Sequence, residues 1–314
     1  MQWHADVGAR TCKPCFSMAD KNYAQRRSLR PNVRIAPHSA ASDSVIIDRR
    51  DRSKSLLKRM NQNTSINLAL VVTTHNSIRT ISRCLESVRG LVNKIYVVDS
   101  GSTDGTLAVC EKHGAEVVHK PWRGFAKQKE FAISLAQTED WVLLLDSDES
   151  LEPSLQEGLR LAISNAAPAT RAIEINRKMW YVGGWINHVG FPDWVVRCGR
   201  QGALRMVHKP VHERLEADGP TVRAMGICRH DSWDGICDAL ERGAKYARLS
   251  AEVRKPKKFP LLYSFCSAFA IVFKHGVLRR GFLDGWRGAA ALVMYAIGRF
   301  ANTMAAFERG KRRD

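Results

Sequence analysis

The sequence predicts an α/β protein on a doubly wound, mostly parallel sheet, followed by a basic helical region suited to a membrane interface. Three observations carry this. From Ile66 onward, short apolar runs alternate with segments whose apolar residues recur at helical spacing, the pattern of right-handed strand–helix–strand units. The apolar runs end in polar or acidic residues, at the edge where open α/β sheets hold ligands. Towards the C-terminus, two apolar stretches bordered by Lys and Arg replace that alternation.

Taken in order, residues 1–62 are rich in Arg, Ser, Asn and Asp without a sustained period, so they read as a disordered basic extension. Met60, close to the start of the fold, is an alternative beginning. Strand candidates follow at 66–72, 94–98, 116–118 and 141–145. Ile78, Ile81, Leu85 and Val88 recur at helical spacing behind Asn76 or Ser77 as cap. Phe125, Gln128, Phe131, Ala132 and Leu135 do the same. Residues 172–230 hold short strand candidates and loops rich in Gly, Trp and His, and 235–252 look helical. Residues 259–273 are 15 uncharged positions, short of the roughly 20 a bilayer-crossing helix needs. Lys255, Lys257 and Lys258 precede them, and Lys274, Arg279 and Arg280 follow. A second apolar stretch, 289–297, ends before Arg299. With Tyr263, Trp286 and Tyr295 interspersed, both suit helices lying in the interface of an anionic membrane. Two ordinary core helices are the alternative.

Charge supports that division. The 314 residues carry a net +18, distributed as +8 over residues 1–65, −3 over 66–170 and +13 over 171–314. The centre is slightly acidic and the flanks basic, which favours an anionic surface as partner over a basic catalytic cleft. The basic N-terminus alone suggests nucleic-acid binding. No zinc-finger, helix-turn-helix or basic-aromatic sheet pattern accompanies it, so no nucleic acid is expected. The eight cysteines are scattered except for Cys12 and Cys15. That spacing without a second pair disfavours a zinc knuckle, and scattered thiols suit a reducing cytoplasm. The N-terminus lacks a signal-type apolar core.

The chemistry concentrates at strand ends. Trp141-Val142-Leu143-Leu144-Leu145 reads as a strand buried on both faces, closed by Asp146-Ser147-Asp148-Glu149. Two carboxylates one residue apart repel unless a divalent cation bridging to phosphate oxygens neutralises them. A solvated turn is the plain alternative. The first strand runs into Thr73-Thr74-His75-Asn76, and the second ends in Asp99 before a Gly/Ser turn. A strand-end carboxylate such as Asp99 can accept the N–H of a base ring. Asp104 equally serves as a helix cap. Lys127 and Lys129 open a helix, where one of them could meet a diphosphate.

These residues resemble the family 2 glycosyltransferases, whose nucleotide-sugar domain has the GT-A fold. The resemblance rests on Val71 to Asn76, Val98 to Asp104, Gly124 to Lys129 and Leu145 to Glu149. Gly190-Phe191-Pro192-Asp193-Trp194-Val195-Val196-Arg197 and Val211-His212-Glu213 make it most similar to the bacterial lipopolysaccharide core β-glucosyltransferases. It covers roughly residues 66–305 and departs at His75, where Lys is common, and Ser147, where Ala is common. It implies a catalytic domain at 63–230 and a membrane-associating helical region at 231–314. It also implies an inverting transfer of a hexose from a UDP-sugar to a lipopolysaccharide core acceptor, with a lipid-linked carrier or another polysaccharide as the alternative. Mg²⁺ or Mn²⁺ would be the cofactor, and the enzyme would sit on the inner face of the cytoplasmic membrane. Thr73, Asn76, Asp99, Lys129 and Asp146 would bind the nucleotide sugar, with Asp148 and Asp146 at the metal. Asp193 is the preferred base, with Glu213 as second candidate. His212 could ligate the metal or orient a phosphate, and Arg197 and Arg214 could hold acceptor phosphates.

Overall fold

The computed structural model describes residues 66–207 and 214–312. The disordered extension expected at 1–62 and the residues His212 and Glu213 lie outside them. The described residues belong to one compact unit.

The first half alternates β1 (Leu68–Thr74), α1 (Ile81–Glu86), β2 (Lys94–Asp99), α2 (Thr106–Lys112), β3 (Glu116–His119), α3 (Phe125–Ile133) and β4 (Trp141–Asp146). Its strands lie in the order β3-β2-β1-β4, all parallel. Leu68, Leu70 and Val72 pack with Ile81, Leu85, Leu143 and Leu145 on one face. Ala69 and Val71 pack with Val98, Ala132 and Leu144 on the other. Both faces are dry, which is why these strands show no polar alternation. The register sets Thr73 beside Val98 and Asp146, and Thr74 beside Asp99. The predicted strand-end residues therefore form one row at the carboxyl edge.

The chain continues through β5 (Glu149–Leu151), α4 (Pro153–Ser164), β6 (Ala172–Tyr181), β7 (Gly184–Trp185), β8 (Asp193–Arg200), β9 (Leu204–Val207), β10 (Arg214–Ala217), β11 (Thr221–Arg223) and β12 (Cys228–His230). The sheet extends from β4 through β8, β6 and β12 to β5. β8 runs antiparallel to both β4 and β6, so a mixed half adjoins the parallel one. This is the expected fold class. Register again does the placing: Arg177 pairs with Asp193, and His230 stands between Met179 and Glu149.

One helix starts later than its spacing predicts. α1 begins at Ile81, and Ile78 is exposed. The amides of Asn76, Ser77 and Ile78 are taken by Ser102 and Asp104 of the next loop and by Thr106 at the start of α2, so this segment serves as a tether before the helix begins.

The C-terminal part contains α5 (Ile236–Val253), α6 (Pro260–Val272), a π-helical continuation Phe273–Leu278, a 3-10 turn Gly281–Asp284, and α7 (Gly285–Lys311). α5 and α6 both pack on α7. Gly288 faces the carbonyl of Gly281 so closely that any side chain would clash. Tyr181, Ile186, Val189 and Ala291 cluster between the sheet and α7. Pro260–Leu278 and Gly281–Lys311 span 19 and 31 residues, long and apolar enough to cross a bilayer by length and composition. The first helix is longer than the 15 uncharged positions suggest, because Lys274 and His275 continue it.

Candidate active site

Asp99 ends β2 almost fully buried. Its Oδ2 accepts the amides of Gly101 at 2.7 Å and Ser102 at 3.0 Å, and its Oδ1 the Ser102 hydroxyl at 2.5 Å. The turn curls back this tightly because Gly101 adopts φ 101°. Burial pushes the carboxyl upward, but the donors from Ser102 and Gly101 outweigh it, leaving Asp99 below the usual range. Asn76 stands in the same loop pair, with φ 49°. Its Oδ1 accepts the Thr103 amide at 2.8 Å, and its own amide donates to Ser102 Oγ at 2.9 Å. Thr73, Asn76 and Asp99 thus share one edge. Asp104 is structural: it accepts the Thr106 amide at 3.1 Å in the first turn of α2 and the Ile78 amide at 3.1 Å.

The acidic run after β4 is sorted into two kinds of carboxylate. Asp146 Oδ1 meets Lys129 Nζ at 2.6 Å, and Asp146 Oδ2 meets Arg197 Nη2 at 2.7 Å. Burial alone would raise Asp146, yet Lys129 and Arg197 hold it well below the usual carboxylate range. Glu149, with no solvent exposure, accepts Arg197 Nε at 2.9 Å, Arg177 Nη1 at 3.0 Å and the Asp146 amide at 3.1 Å. Its burial is likewise outweighed, chiefly by Arg197 and then Arg177, and its carboxyl falls to about 2. Lys129 and Asp146, both expected at the nucleotide sugar, are therefore partners of one another. Arg197, expected at an acceptor phosphate, is committed to Asp146 and Glu149. Arg214, the other such candidate, is exposed on β10 with Glu216 at 3.3 Å.

Asp148 is the second kind. Burial raises its carboxyl, His230 opposes, and Asp146 and Glu149 add to the rise, so it stands above the usual range. His230 Nε2 lies 3.6 Å from Asp148 Oδ1. Among the described residues no cluster of three or more His, Cys, Asp or Glu could hold a metal ion. Asp148 and His230 supply one oxygen and one nitrogen donor. Such a pair fits Mg²⁺ or Mn²⁺ when diphosphate oxygens and water complete the shell. Asp146, expected to share the ion, has both oxygens engaged by Lys129 and Arg197.

Beside this pair lies a cavity of about 160 Å³ whose walls include His230, Asp193, Arg177, Met179 and Tyr295. Asp193 Oδ2 receives Arg177 Nε at 3.0 Å and Nη2 at 2.8 Å. The Asp193 amide donates to Asn176 Oδ1 at 3.0 Å. Sequence reading passed over Arg177 and His230, and it placed Tyr295 among the aromatic residues of the interfacial helices rather than at the site. Only strand register and helix docking bring them here, and no short motif announces either. Chemically, the cavity offers the Asp193 carboxylate and the His230 ring in its lining, with Asp148 3.6 Å behind that ring, so a base and a cation-binding pair lie close to one another.

The Glycosyl transferase family 2 profile matches residues 69–187. An uncharacterised glycosyltransferase of Rickettsia conorii is 43% identical over 98 residues, 31% of this chain and 34% of that protein. The chain thus spans about a third of the length of that relative. The lipopolysaccharide core biosynthesis glycosyltransferase LpsC of Rhizobium meliloti is 28% identical over 228 residues, 67% of this chain and 83% of that protein. Among solved structures, a mannosyltransferase from Pyrobaculum calidifontis in complex with GDP-mannose and Mn²⁺ aligns at 16% identity. That alignment covers 82% of this chain and 91% of the other, with a TM-score of 0.42.

Proposed function

The chain belongs to glycosyl transferase family 2 through residues 69–187, and from that premise we propose that it transfers a hexose, glucose from UDP-glucose first, onto a lipopolysaccharide core or related membrane-held glycan with inversion at the anomeric carbon. The observation that carries this reading is one cavity lined by both Asp193 and His230, with Asp148 3.6 Å from the His230 ring. Thr73, Asn76 and Asp99 hold the nucleoside at the sheet edge. Asp148 and His230 would hold Mg²⁺ or Mn²⁺, which when bound would supply positive charge to offset that growing on the departing UDP. Asp193 takes the proton of the acceptor hydroxyl through Oδ1, the oxygen that Arg177 leaves open. The lipopolysaccharide-related relative supports the acceptor class.

The same reading puts the enzyme on the inner face of the cytoplasmic membrane. Leu262, Phe265 and Phe269 of α6 are 64%, 67% and 71% exposed, and Phe282 and Trp286, farther along the chain, are exposed as well. Lys255, Lys257, Lys258, Lys274, Arg279 and Arg280 border this surface. Exposed aromatic and aliphatic groups rimmed by cations suit an anionic bilayer.

The test incubates the purified chain with Mn²⁺, a panel of UDP-sugars and membranes carrying truncated lipopolysaccharide cores. A β-linked hexose on the core, lost in Asp193→Asn, is expected. Transfer only to polyprenyl-phosphate-linked glycans would move the acceptor to the lipid-carrier class, and UDP-sugars left intact with every acceptor would remove the reaction.

A further inference from the structure

The loop leading to Asp193 is held from the C-terminal helices. Asp284 lies at the turn between α6 and α7 with its side chain fully buried. Its carboxylate accepts the amides of Asn187 at 2.8 Å, His188 at 2.8 Å and Val189 at 3.0 Å, and its Oδ1 lies 2.9 Å from His188 Nδ1. The next amide, Gly190, donates to His275 Nδ1 at 3.3 Å, and Arg279 reaches the carbonyl of Phe191 at 3.5 Å. Tyr295 Oη abuts Gly190, where an added Cβ would lie 2.8 Å away. Five consecutive backbone units are therefore gripped by residues of 275–295, and Asp193 follows two positions later. Val189, Gly190 and Tyr295 themselves line the cavity.

A carboxylate that caps a turn usually belongs to that turn. Here it arrives from 95 to 97 positions away, out of the segment joining the two exposed apolar helices. Three amides on one buried carboxylate make a stiff, charge-assisted clamp. We propose that Asp284 is a positioning residue for sugar transfer. It fixes 187–191 so that Asp193 and the Val189–Gly190 wall meet the acceptor in register, and it makes that geometry depend on how the C-terminal helices are seated. The inference rests on the transferase reading above. A loop displaced by about 1 Å is enough to cost roughly 100-fold in a positioned reaction.

The test uses the full-length chain, with kcat expressed per UDP-binding site counted by calorimetry, so that loss of folded protein does not register. Asp284→Asn presents an NH₂ group to the backbone donors, while Asp284→Glu keeps the acceptor oxygens on a longer arm. For Asp284→Asn, kcat falls at least tenfold, acceptor KM rises, and UDP affinity and donor KM stay at wild-type values. Exchange of the Asn187, His188 and Val189 amides accelerates in parallel. Asp284→Glu recovers part of kcat. Should Asp284→Asn fail to fold, Asp284→Glu alone decides: kcat at the wild-type level overturns the proposal, and a severalfold loss at unchanged donor KM supports it. Wild-type kcat and acceptor KM in Asp284→Asn also overturn it while leaving the transferase reading intact. A wild-type chain that turns over no nucleotide sugar removes the reaction and the positioning role together.

Discussion

Arg177 Nη2 lies 2.8 Å from Asp193 Oδ2, and the same guanidinium donates from Nη1 to Glu149 at 3.0 Å. One side chain thus ties the carboxylate at the cavity to the buried ionic cluster beneath the acidic run. Arg177→Gln should lower kcat by about ten- to a hundredfold by letting Asp193 drift. Breaking a buried pair costs about 3–5 kcal/mol. Arg177 keeps some solvent contact, so a loss nearer 2 kcal/mol is expected from denaturant unfolding. Unchanged kcat would separate Asp193 from its partner.

Glu149 sets an acid limit on the fold. Its carboxyl lies at about 2, against an ordinary value of 4.5. A depressed carboxylate contributes stability that is complete above its unfolded value and disappears as pH falls through its folded value. The stability gap between wild type and Glu149→Gln should therefore be full above about pH 5 and close between there and pH 2. Urea unfolding at stepped pH measures it, and a gap independent of pH would break the assignment.

Asp148 should behave in the opposite sense. Its carboxyl stands above the ordinary value, so the ionised form at neutral pH works against the fold. Asp148→Asn is expected to raise the Tm of the metal-free protein, because it removes a buried charge that works against the fold. Destabilisation by calorimetry would place Asp148 with Asp146 in the structural cluster.

Membrane docking is best tested by substitution, because deleting the C-terminal helices would also remove Asp284 and Tyr295 from the cavity region. Phe265→Ser with Phe269→Ser takes two largely exposed rings off α6 without touching that loop. A buried Phe is worth roughly 1.5–3 kcal/mol, so binding to anionic vesicles should weaken at least tenfold. UDP affinity should not change. Equal partitioning of both proteins in vesicle flotation would defeat the interfacial surface.

The parallel half was legible because β1, β2 and β4 carry apolar residues on both faces and each ends in a distinctive polar group. Once β1, β2 and β4 are parallel neighbours, Thr73, Asp99 and Asp146 must share an edge. The acceptor half was not legible. Arg177 meets Asp193 through an antiparallel pairing, and His230 reaches Asp148 from a three-residue strand more than 80 positions away. Short strands with no apolar rhythm leave register undetermined, since a slip of one residue reverses every side chain. Asp146 shows the complementary limit. Its place was readable, but Lys129 and Arg197, which take its oxygens, depend on side-chain packing.

The most direct measurement is calorimetric binding of UDP with and without Mn²⁺ to wild type and Asp148→Asn. Mn²⁺ is expected to tighten UDP at least tenfold in the wild type and to have no effect in the variant, with metal-free UDP affinity equal in both. The same Mn²⁺ enhancement in Asp148→Asn would contradict the assignment of the diphosphate-bound cation to Asp148 and His230.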